Sequence, residues 1–498
     1  MTLNGFGNTI YRRTLSLLSV FAFMGATSYA QFSMNSMDNS TAVALRDPAR
    51  QASTDVDAAI YNPAGTAFLE DGFHVSLNGL YSFQPLYSFK QQGDEEVDVH
   101  NEHITKIAPS IQMAWKKGRF SVSASLANEG SLGKWTCPSG SIPYDSYLQA
   151  LSLHGGYKDI MDKLNSQLFA LNALVALSGY GEALDLVLED KFRLVSSNML
   201  YSMNNIAARL GIAYAVNDKF SLSVGAKINY LTRYTDALPQ LQVYRASSNQ
   251  SWAAKDYFLL KAALIEKGTE TLAGDAQLAE AFREKATELN VQSSGTETNH
   301  SGWGVTPIIG VDFCVSDINV GAKYEFRTVV NAEDWADFKL SSNLSLGVDW
   351  SLFDNLNVAL GGTAYFKTDG PYGHHAEEYQ NKMSGNVSLS ASYSPVKRLL
   401  LSIGQSYENY SGYWSLIGSE DMEILGRHRF VTSLGGAYDF TDKLQLNIGG
   451  NIGYAPSIID NQMTMNIESN GSAMTVNCPV SYYTNMKYNV AVGVNYRF

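Results

Sequence analysis

The amino-acid sequence predicts an all-β fold, a transmembrane antiparallel β-barrel of about fourteen strands. Alternation is the first observation behind that reading. After Val315-Ser316-Asp317, the residues Ile318, Val320, Ala322, Tyr324 and Phe326 share one face, and Asn319, Gly321, Lys323, Glu325 and Arg327 share the other. After Val216-Asn217-Asp218, Phe220, Leu222, Val224, Ala226, Ile228 and Tyr230 oppose Ser221, Ser223, Gly225, Lys227 and Asn229. Successive strand side chains point to opposite faces, so each segment has one apolar and one polar surface. Repeated along most of a large chain, the pattern implies a closed barrel, apolar outside and polar inside, with no free edge. Composition is the second observation. Only 17% of residues are charged, while Gly (41) and Tyr (29) are plentiful. Mean hydropathy is slightly negative, and the only dense apolar run is N-terminal, which excludes a bundle of membrane helices.

That N-terminal run reads as a signal peptide over residues 1–30. Arg12 and Arg13 give a positive n-region, residues 15–25 an apolar core, and Ser28-Tyr29-Ala30 small residues at −3 and −1, so cleavage leaves Gln31 first. The core is shorter than the roughly 20 residues of a membrane span. No Cys follows the cleavage site, so the chain is not read as a lipoprotein. Export and a barrel together predict a multi-pass protein of a Gram-negative outer membrane. Losing two arginines with the leader takes the net charge from −12 to −14, which argues against a nucleic-acid partner. The three cysteines, Cys137, Cys314 and Cys478, are an odd number. Cys314 sits near a turn, whereas Cys137 and Cys478 fall in long loops and either pair in an oxidising compartment or stay free.

Residues 31–72 do not alternate and cannot form wall. From residue 73 to 498 the barrel is expected. Six short turns punctuate it: Lys116-Lys117-Gly118, Val216-Asn217-Asp218, Val315-Ser316-Asp317, Phe353-Asp354-Asn355, Ser394-Pro395-Val396 and Phe440-Thr441-Asp442. Asn, Asp, Gly and Pro are the residues that make tight turns. The connections between these hairpins are longer, the asymmetry of periplasmic turns and extracellular loops. The strands read as 73–89, 105–115, 119–134, 201–215, 219–234, 303–315, 317–330, 341–352, 355–368, 381–394, 397–411, 426–440, 441–455 and 483–498. An even number puts both barrel ends on the periplasmic side. In the last strand Tyr488, Val490, Val492, Val494, Tyr496 and Phe498 alternate with Asn489, Ala491, Gly493, Asn495 and Arg497. A terminal aromatic residue in this register resembles the signal read by the outer-membrane barrel assembly machinery, which makes that machinery an expected partner through Phe498.

Two loops, 138–198 and 240–300, read as helical. Ile160, Leu164, Leu168, Leu171 and Val175 recur at three- and four-residue spacing, as do Phe258, Ala262 and Ile265, then Leu278, Phe282 and Leu289. Their apolar faces either pack together as a cap or form a capture surface over the barrel mouth. Ile160, Leu164, Leu168, Leu171, Phe258 and Phe282 are the candidate capture residues, and an apolar groove there implies an apolar small-molecule ligand.

The non-wall segment contains Asp55-Val56-Asp57-Ala58-Ala59-Ile60-Tyr61-Asn62-Pro63-Ala64-Gly65, followed by Gly72, and is preceded by Ser40-Thr41-Ala42-Val43-Ala44. It resembles the hatch of the FadL/TodX-type outer-membrane transporters, with Asn62, Pro63 and Ala64 as the hatch core. Gly302-Trp303-Gly304, Gly310-Val311 and 318–327 resemble a mid-barrel stretch of that family. The specific resemblance covers about a quarter of the chain. It implies a fourteen-stranded barrel plugged by its N-terminal hatch, importing long-chain fatty acids or aromatic hydrocarbons. Ligand would be captured at extracellular loops, held in the lumen and released sideways through an inward kink of the third strand. Here Asn128-Glu129-Gly130-Ser131-Leu132-Gly133 breaks the alternation, and Gly130 and Gly133 are the kink candidates. The other reading is that the strand simply leaves the membrane there.

No catalytic constellation stands out, and no cofactor is expected. His374-His375-Ala376-Glu377-Glu378 has metal-ligand residue types but lies in a Gly/Pro loop without rigid spacing, and His100 and His103 beside Asp94, Glu95 and Glu96 are similar. No Gly-x-Ser-x-Gly elbow or phosphate loop is present. The chain is therefore read as a non-enzyme. Its expected partners are a hydrophobic ligand and outer-membrane lipid, and it is read as a monomer. The alternative is a surface adhesin, or a receptor for a porphyrin or other ligand, on a barrel scaffold.

Overall fold

The computed structural model describes residues 41–92, 95–129, 133–137, 191–197, 199–237, 239–245, 250–253, 296–332, 335–366, 384–409, 428–454, 463–469, 472–478, 480–483 and 486–498, together with 169, 173, 255–257, 259–263, 266, 279–280 and 283. Fourteen antiparallel wall strands are present in chain order. They are Gly72–Gln92, Glu95–Lys117, Phe120–Asn128 continued by Gly133–Cys137, Met199–Asn217, Phe220–Ala237 and Thr296–Val315. The seventh is Ile318–Glu325 continued by Thr328–Ala332, and the eighth Trp335–Leu340 continued by Asn343–Phe353. Leu356–Tyr365, Ser384–Val396, Leu399–Asn409, His428–Asp439, Leu444–Tyr454 and Met486–Arg497 complete the set. The fourteenth strand pairs with the thirteenth from Leu444↔Tyr496 to Tyr454↔Met486, and with the first from His74↔Arg497 to Phe83↔Tyr488. The sheet thus closes on itself and no wall edge is left open.

The turn chemistry explains the hairpins. Gly118 (φ 59°), Ser316 (φ 52°) and Arg398 (φ 75°) occupy the left-handed region that two-residue hairpin loops require. The turn expected at Ser394-Pro395-Val396 lies later, at Lys397 and Arg398. Pro395 instead falls in the last residues of the tenth strand, where the ladder slips between Tyr393 and Val396. Proline has no N–H to donate, and such an irregularity accommodates it. Two loop readings also need correction. Trp335–Leu340 pairs with Thr328–Ala332, so the seventh and eighth strands continue past their expected ends. Within the long loops, Lys191–Ser197, Pro239–Arg245 and Gln250–Ala253 form a three-stranded sheet, so the helical reading fails at 191–197, 240–245 and 250–253.

The two faces of the wall separate as the alternation requires. On the sixth strand Trp303, Val305, Ile309, Val311 and Phe313 are exposed, while Thr306, Ile308 and Asp312 are buried. Aromatic side chains gather at two levels. At the turn end Phe73 meets Phe498 (ring centroids 5.7 Å apart) and Phe120 meets Tyr214 (4.8 Å). At the loop end Tyr230 meets Trp303 (4.3 Å) and Tyr407 meets Phe430 (5.4 Å). Tyr488 and Tyr496 mark both levels on one strand. Eight residues of tilted strand span roughly 20 Å, close to the ~25 Å apolar band of membrane barrels. Among the described residues no helix is long and apolar enough to cross a membrane.

Residues 41–68 are almost wholly buried and carry three short helical turns, Ala42–Arg46, Ala58–Tyr61 and the 3-10 turn Pro63–Phe68. Thr41 caps the first, its Oγ1 accepting from Ala44 N at 3.0 Å. Pro63 opens the last, at the position where a missing N–H costs nothing.

The candidate site in the barrel interior

Residues 41–68 lie against the inward face of the wall, and polar side chains from around the circumference reach them. Asn78 of the first strand accepts from Ala42 N (2.9 Å) and donates to Gln112 of the second (2.9 Å). Ser221 of the fifth donates to the Ala64 carbonyl (2.8 Å), and Asn319 of the seventh to the Ala52 carbonyl (2.7 Å). Arg46 donates to Ser402 of the eleventh strand (2.6 Å) and to Asn447 of the thirteenth (3.3 Å), while Ser390 of the tenth donates to Asp47. The segment also folds on itself. The buried Arg50 guanidinium donates to Asp47 (3.2 Å), Asp55 (2.6 Å), Asp57 (2.9 Å) and Ser53 (2.7 Å). Burial works against the Arg50 cation, but these three carboxylates outweigh it and hold its pKa well above the usual value.

Glycines make this contact close. A Cβ on Gly347 would sit 2.7 Å from Ala52 N, one on Gly321 2.5 Å from the Gln51 carbonyl oxygen, and one on Gly435 2.5 Å from Arg46 Cβ. These inward positions admit no larger residue without moving backbone. Asn62, Pro63 and Ala64 are all buried. Asn62 donates to Asp312 of the sixth strand and to the Ser53 carbonyl (3.4 Å). Asn319 donates to the same Asp312 oxygen at 3.2 Å, so one wall carboxylate receives both amides. Pro63 faces Gly211, whose Cβ would lie 3.7 Å from the proline Cβ, and Ala64 faces Gly310 at 3.8 Å.

The third strand leaves its ladder on both sides. Asn128 pairs with Ile206 and Gly133 with Met203, so five steps on this strand oppose three on the fourth. Ala127 pairs with Ser110 and Lys134 with Thr105, so seven steps oppose five on the second. Two surplus residues are therefore carried between Asn128 and Gly133. Gly133 restarts the strand, and Gly130 lies outside the described residues.

Beside this surplus lies a charge cluster that sequence reasoning did not assemble. Glu129 receives two bonds from Arg209 of the fourth strand, one of them 2.7 Å. Arg209 also reaches Glu325 of the seventh strand (3.3 Å). Glu325 accepts further from Lys227 of the fifth, from Lys323 (2.8 Å) and from Asn343 (3.4 Å). Lys323 in turn donates to the Ile60 carbonyl of the buried segment (2.9 Å). All five charged residues are at most 8% exposed. Burying charges is costly unless opposite charges and hydrogen bonds compensate them, as most of the polar atoms here are compensated.

Nearer the loop end the inward face carries a buried apolar group, Leu231, Val330, Leu340 and Tyr365. Of the candidate capture residues, Ile160, Leu164, Leu168, Leu171, Phe258 and Phe282 lie outside the described residues. Around Phe258, Tyr257, Lys261 and Ala262 form a buried face, while Leu259 and Leu260 are exposed. Cys314 is a free thiol at its strand end, and the side chains of Cys137 and Cys478 lie outside the described set. Among the described residues no group of His, Cys, Asp and Glu could hold a metal.

No protein-family model and no curated protein matches the sequence. Solved structures do. A Pseudomonas aeruginosa FadL homologue matches over 94% of this chain and 100% of its own, with a TM-score of 0.57 at 12% identity. The P. putida toluene transporter TodX matches over 95% of this chain and 99% of its own, with a TM-score of 0.50 at 13% identity. At such identities the likeness is one of fold. The chain is a closed fourteen-stranded antiparallel barrel with the fold of these FadL/TodX-type structures.

Proposed function

We propose that this chain is an outer-membrane transporter of hydrophobic small molecules, of the class of long-chain fatty acids or aromatic hydrocarbons. In this reading residues 31–72 are the plug and the long loops capture ligand. Release is lateral, through the surplus in the third strand. The observation that supports the reading is a buried segment, residues 41–68, bonded to the inward face of a wall whose register is offset by two residues between Asn128 and Gly133. An alkyl chain in a water-filled pore costs about 0.8 kcal/mol per exposed methylene. A plugged barrel with a side exit shortens the path on which such a ligand meets bulk water before it reaches the bilayer. The fold likeness to a FadL homologue and a toluene transporter supports the same class of cargo.

The test is uptake of radiolabelled oleate and of toluene by cells that lack other importers. The double variant Asn62→Ala, Pro63→Ala is expected to reach the outer membrane as a folded barrel and to lose most uptake. It removes one donor from buried Asp312 and the fixed backbone of the Pro63 turn. Uptake equal to wild type by the folded double variant would count against the plug. Deleting residues 240–295, which leaves the sixth strand from Thr296 intact, separates transport from the adhesin alternative: transport requires that uptake falls with the loop.

A further inference from the structure

We propose that the carboxylates of Asp312 and Asp349, with the amide oxygens of Asn62 and Asn319, bind one calcium ion that pins the buried segment to the wall near the turn end of the barrel. The site does not depend on which cargo the barrel carries. Strand register builds it. On the inward face Asp312 of the sixth strand pairs with Gly321 of the seventh. Asn319, two residues nearer the turn, pairs with Asp349 of the eighth. Directly opposed residues share a face, with Cβ atoms about 5 Å apart. Asn319 thus stands between two carboxylates, bonded to Asp312 at 3.2 Å and opposite Asp349. From the buried segment, Asn62 reaches the same Asp312 oxygen. A Cβ on Gly321 would meet both Asn62 Nδ2 (2.7 Å) and the Gln51 carbonyl oxygen (2.5 Å), so a backbone oxygen borders the group as well.

Two observations point to a cation. First, oxygens are left over. Asp312 Oδ1, Asn62 Oδ1 and Asn319 Oδ1 are all buried without a donor. Asp312 and Asn62 are wholly buried, and Asn319 is 8% exposed. The nitrogen and oxygen of one amide are only about 2.3 Å apart. Both amide oxygens therefore lie within about 5.5 Å of Asp312 Oδ2, and oxygens that share one calcium stand up to about 5 Å apart. Turning either amide end for end presents its oxygen where its N–H now points. Second, negative charge is left over. Arg50 is committed to Asp47, Asp55 and Asp57, and Lys323 to Glu325 and the Ile60 carbonyl. Among the described residues Asp312 and Asp349 form no ion pair, yet they are close enough for their charges to act on each other. Neutral amides do not offset a buried carboxylate. A buried water would satisfy the oxygens and leave the charge. A divalent cation does both. Only two of the donors are carboxylates and none is His or Cys, so the set differs from the metal groups excluded above. Carboxylate, amide and carbonyl oxygens are the ligands of a hard ion, and calcium tolerates their irregular geometry best. Asp349 and Cys314 are only half-buried, and they mark where the site meets solvent at the turn end.

Titration calorimetry on the folded barrel tests this. The protein is refolded from denaturant so that it carries no lipopolysaccharide, stripped with EDTA and titrated with calcium chloride in neutral buffer. Wild type is expected to take up one calcium per barrel, saturably. Calcium is also expected to raise the temperature at which its fast-migrating folded band is lost on a gel. Asp312→Asn and Asp349→Asn should each weaken binding at least about tenfold, because the affinity of an oxygen site follows its carboxylate count. Asp71→Asn removes an exposed carboxylate at the same end and is expected to bind like wild type. If Asp312→Asn does not assemble, Asp349→Asn carries the test, since Asp349 is half-buried and makes no bond to the buried segment. No saturable binding by folded wild type overturns the inference and leaves a proton or a buried water as the partner of Asp312. Binding of wild-type strength by the folded aspartate variants overturns it too, because the ion then sits elsewhere. Neither cargo nor uptake enters the measurement. Failure here leaves the transport reading standing, and a barrel that binds calcium without importing anything leaves the ion site standing.

Discussion

From the ninth strand to the fourteenth, the inward wall is built mainly of small neutral residues, among them Thr363, Ser388, Ser390, Ser402, Ser433 and Asn447. Its ladder shows only a slip beside Pro395. From the third strand to the seventh, the inward wall carries Glu129, Arg209, Lys227, Lys323 and Glu325, and the ladder is interrupted at 129–132 and 326–327. The first half meets residues 41–52 through close backbone approach over glycine. The second meets Ile60 and Asn62 through charged side chains. Small residues and close contact give a rigid seat, because nothing there can shift without a clash. Buried ion pairs give a seat that is costly to lose, because removing one partner leaves the other charge buried and uncompensated. The two sides thus hold the buried segment by different means, close packing on one and charge pairing on the other.

The comparison breaks most readily at its hub. Glu325→Ala leaves Lys227, Lys323 and part of Arg209 buried without their carboxylate. It should cost about 3–5 kcal/mol, seen as a lower temperature for loss of the fast-migrating folded band on a gel. A drop as large from Ser433→Ala would erase the distinction between the halves. The rigid side is probed by Gly435→Ala on the twelfth strand, whose Cβ would meet Arg46 Cβ at 2.5 Å and Gly449 Cα at 3.0 Å. We expect about 1–3 kcal/mol of destabilisation and faster exchange of the plug. Gly79→Ala, with nothing within 4 Å, should be silent. The smallest effect belongs to Asp71, outside both regions, which accepts from Gly118 N (3.1 Å) and Lys116 Nζ (3.2 Å) at the turn end. The Gly118 N–H and then Lys116 hold its carboxyl below the ordinary aspartate range. A depressed carboxyl contributes above its unfolded pKa and loses that contribution as pH falls through its folded value. Because Asp71 is exposed, Asp71→Asn should leave the melting temperature unchanged at neutral pH.

Much of this molecule was legible in its sequence. Period-two alternation and Asn/Asp/Gly turns gave the fourteen strands, since a membrane wall forces both patterns on every strand. The failure of alternation after Asn128 marked the third-strand break, and the Asn62-Pro63-Ala64 corner stood out as non-wall sequence. The ion cluster was legible only in pieces. Lys227, Lys323 and Glu325 fall on the polar face by parity, and Glu129 continues the inward series Ser121, Ser123, Ser125. Their pairing depends on register between strands whose residues are 80 and 116 positions apart, which no local pattern encodes. The glycine seat was equally hidden. Gly404, Gly435 and Gly449 look like ordinary small residues until the buried segment is packed against them.

The central claim is that an apolar ligand leaves through the third-strand break and not through an axial pore. Deleting Ser131 and Leu132 removes the two surplus residues and restores equal counts with both neighbouring strands. Labelled-oleate uptake by cells carrying this deletion is the most direct measurement. The account predicts a folded, heat-modifiable barrel in the outer membrane with uptake reduced to the background of cells lacking the protein. Wild-type uptake by that barrel would contradict it.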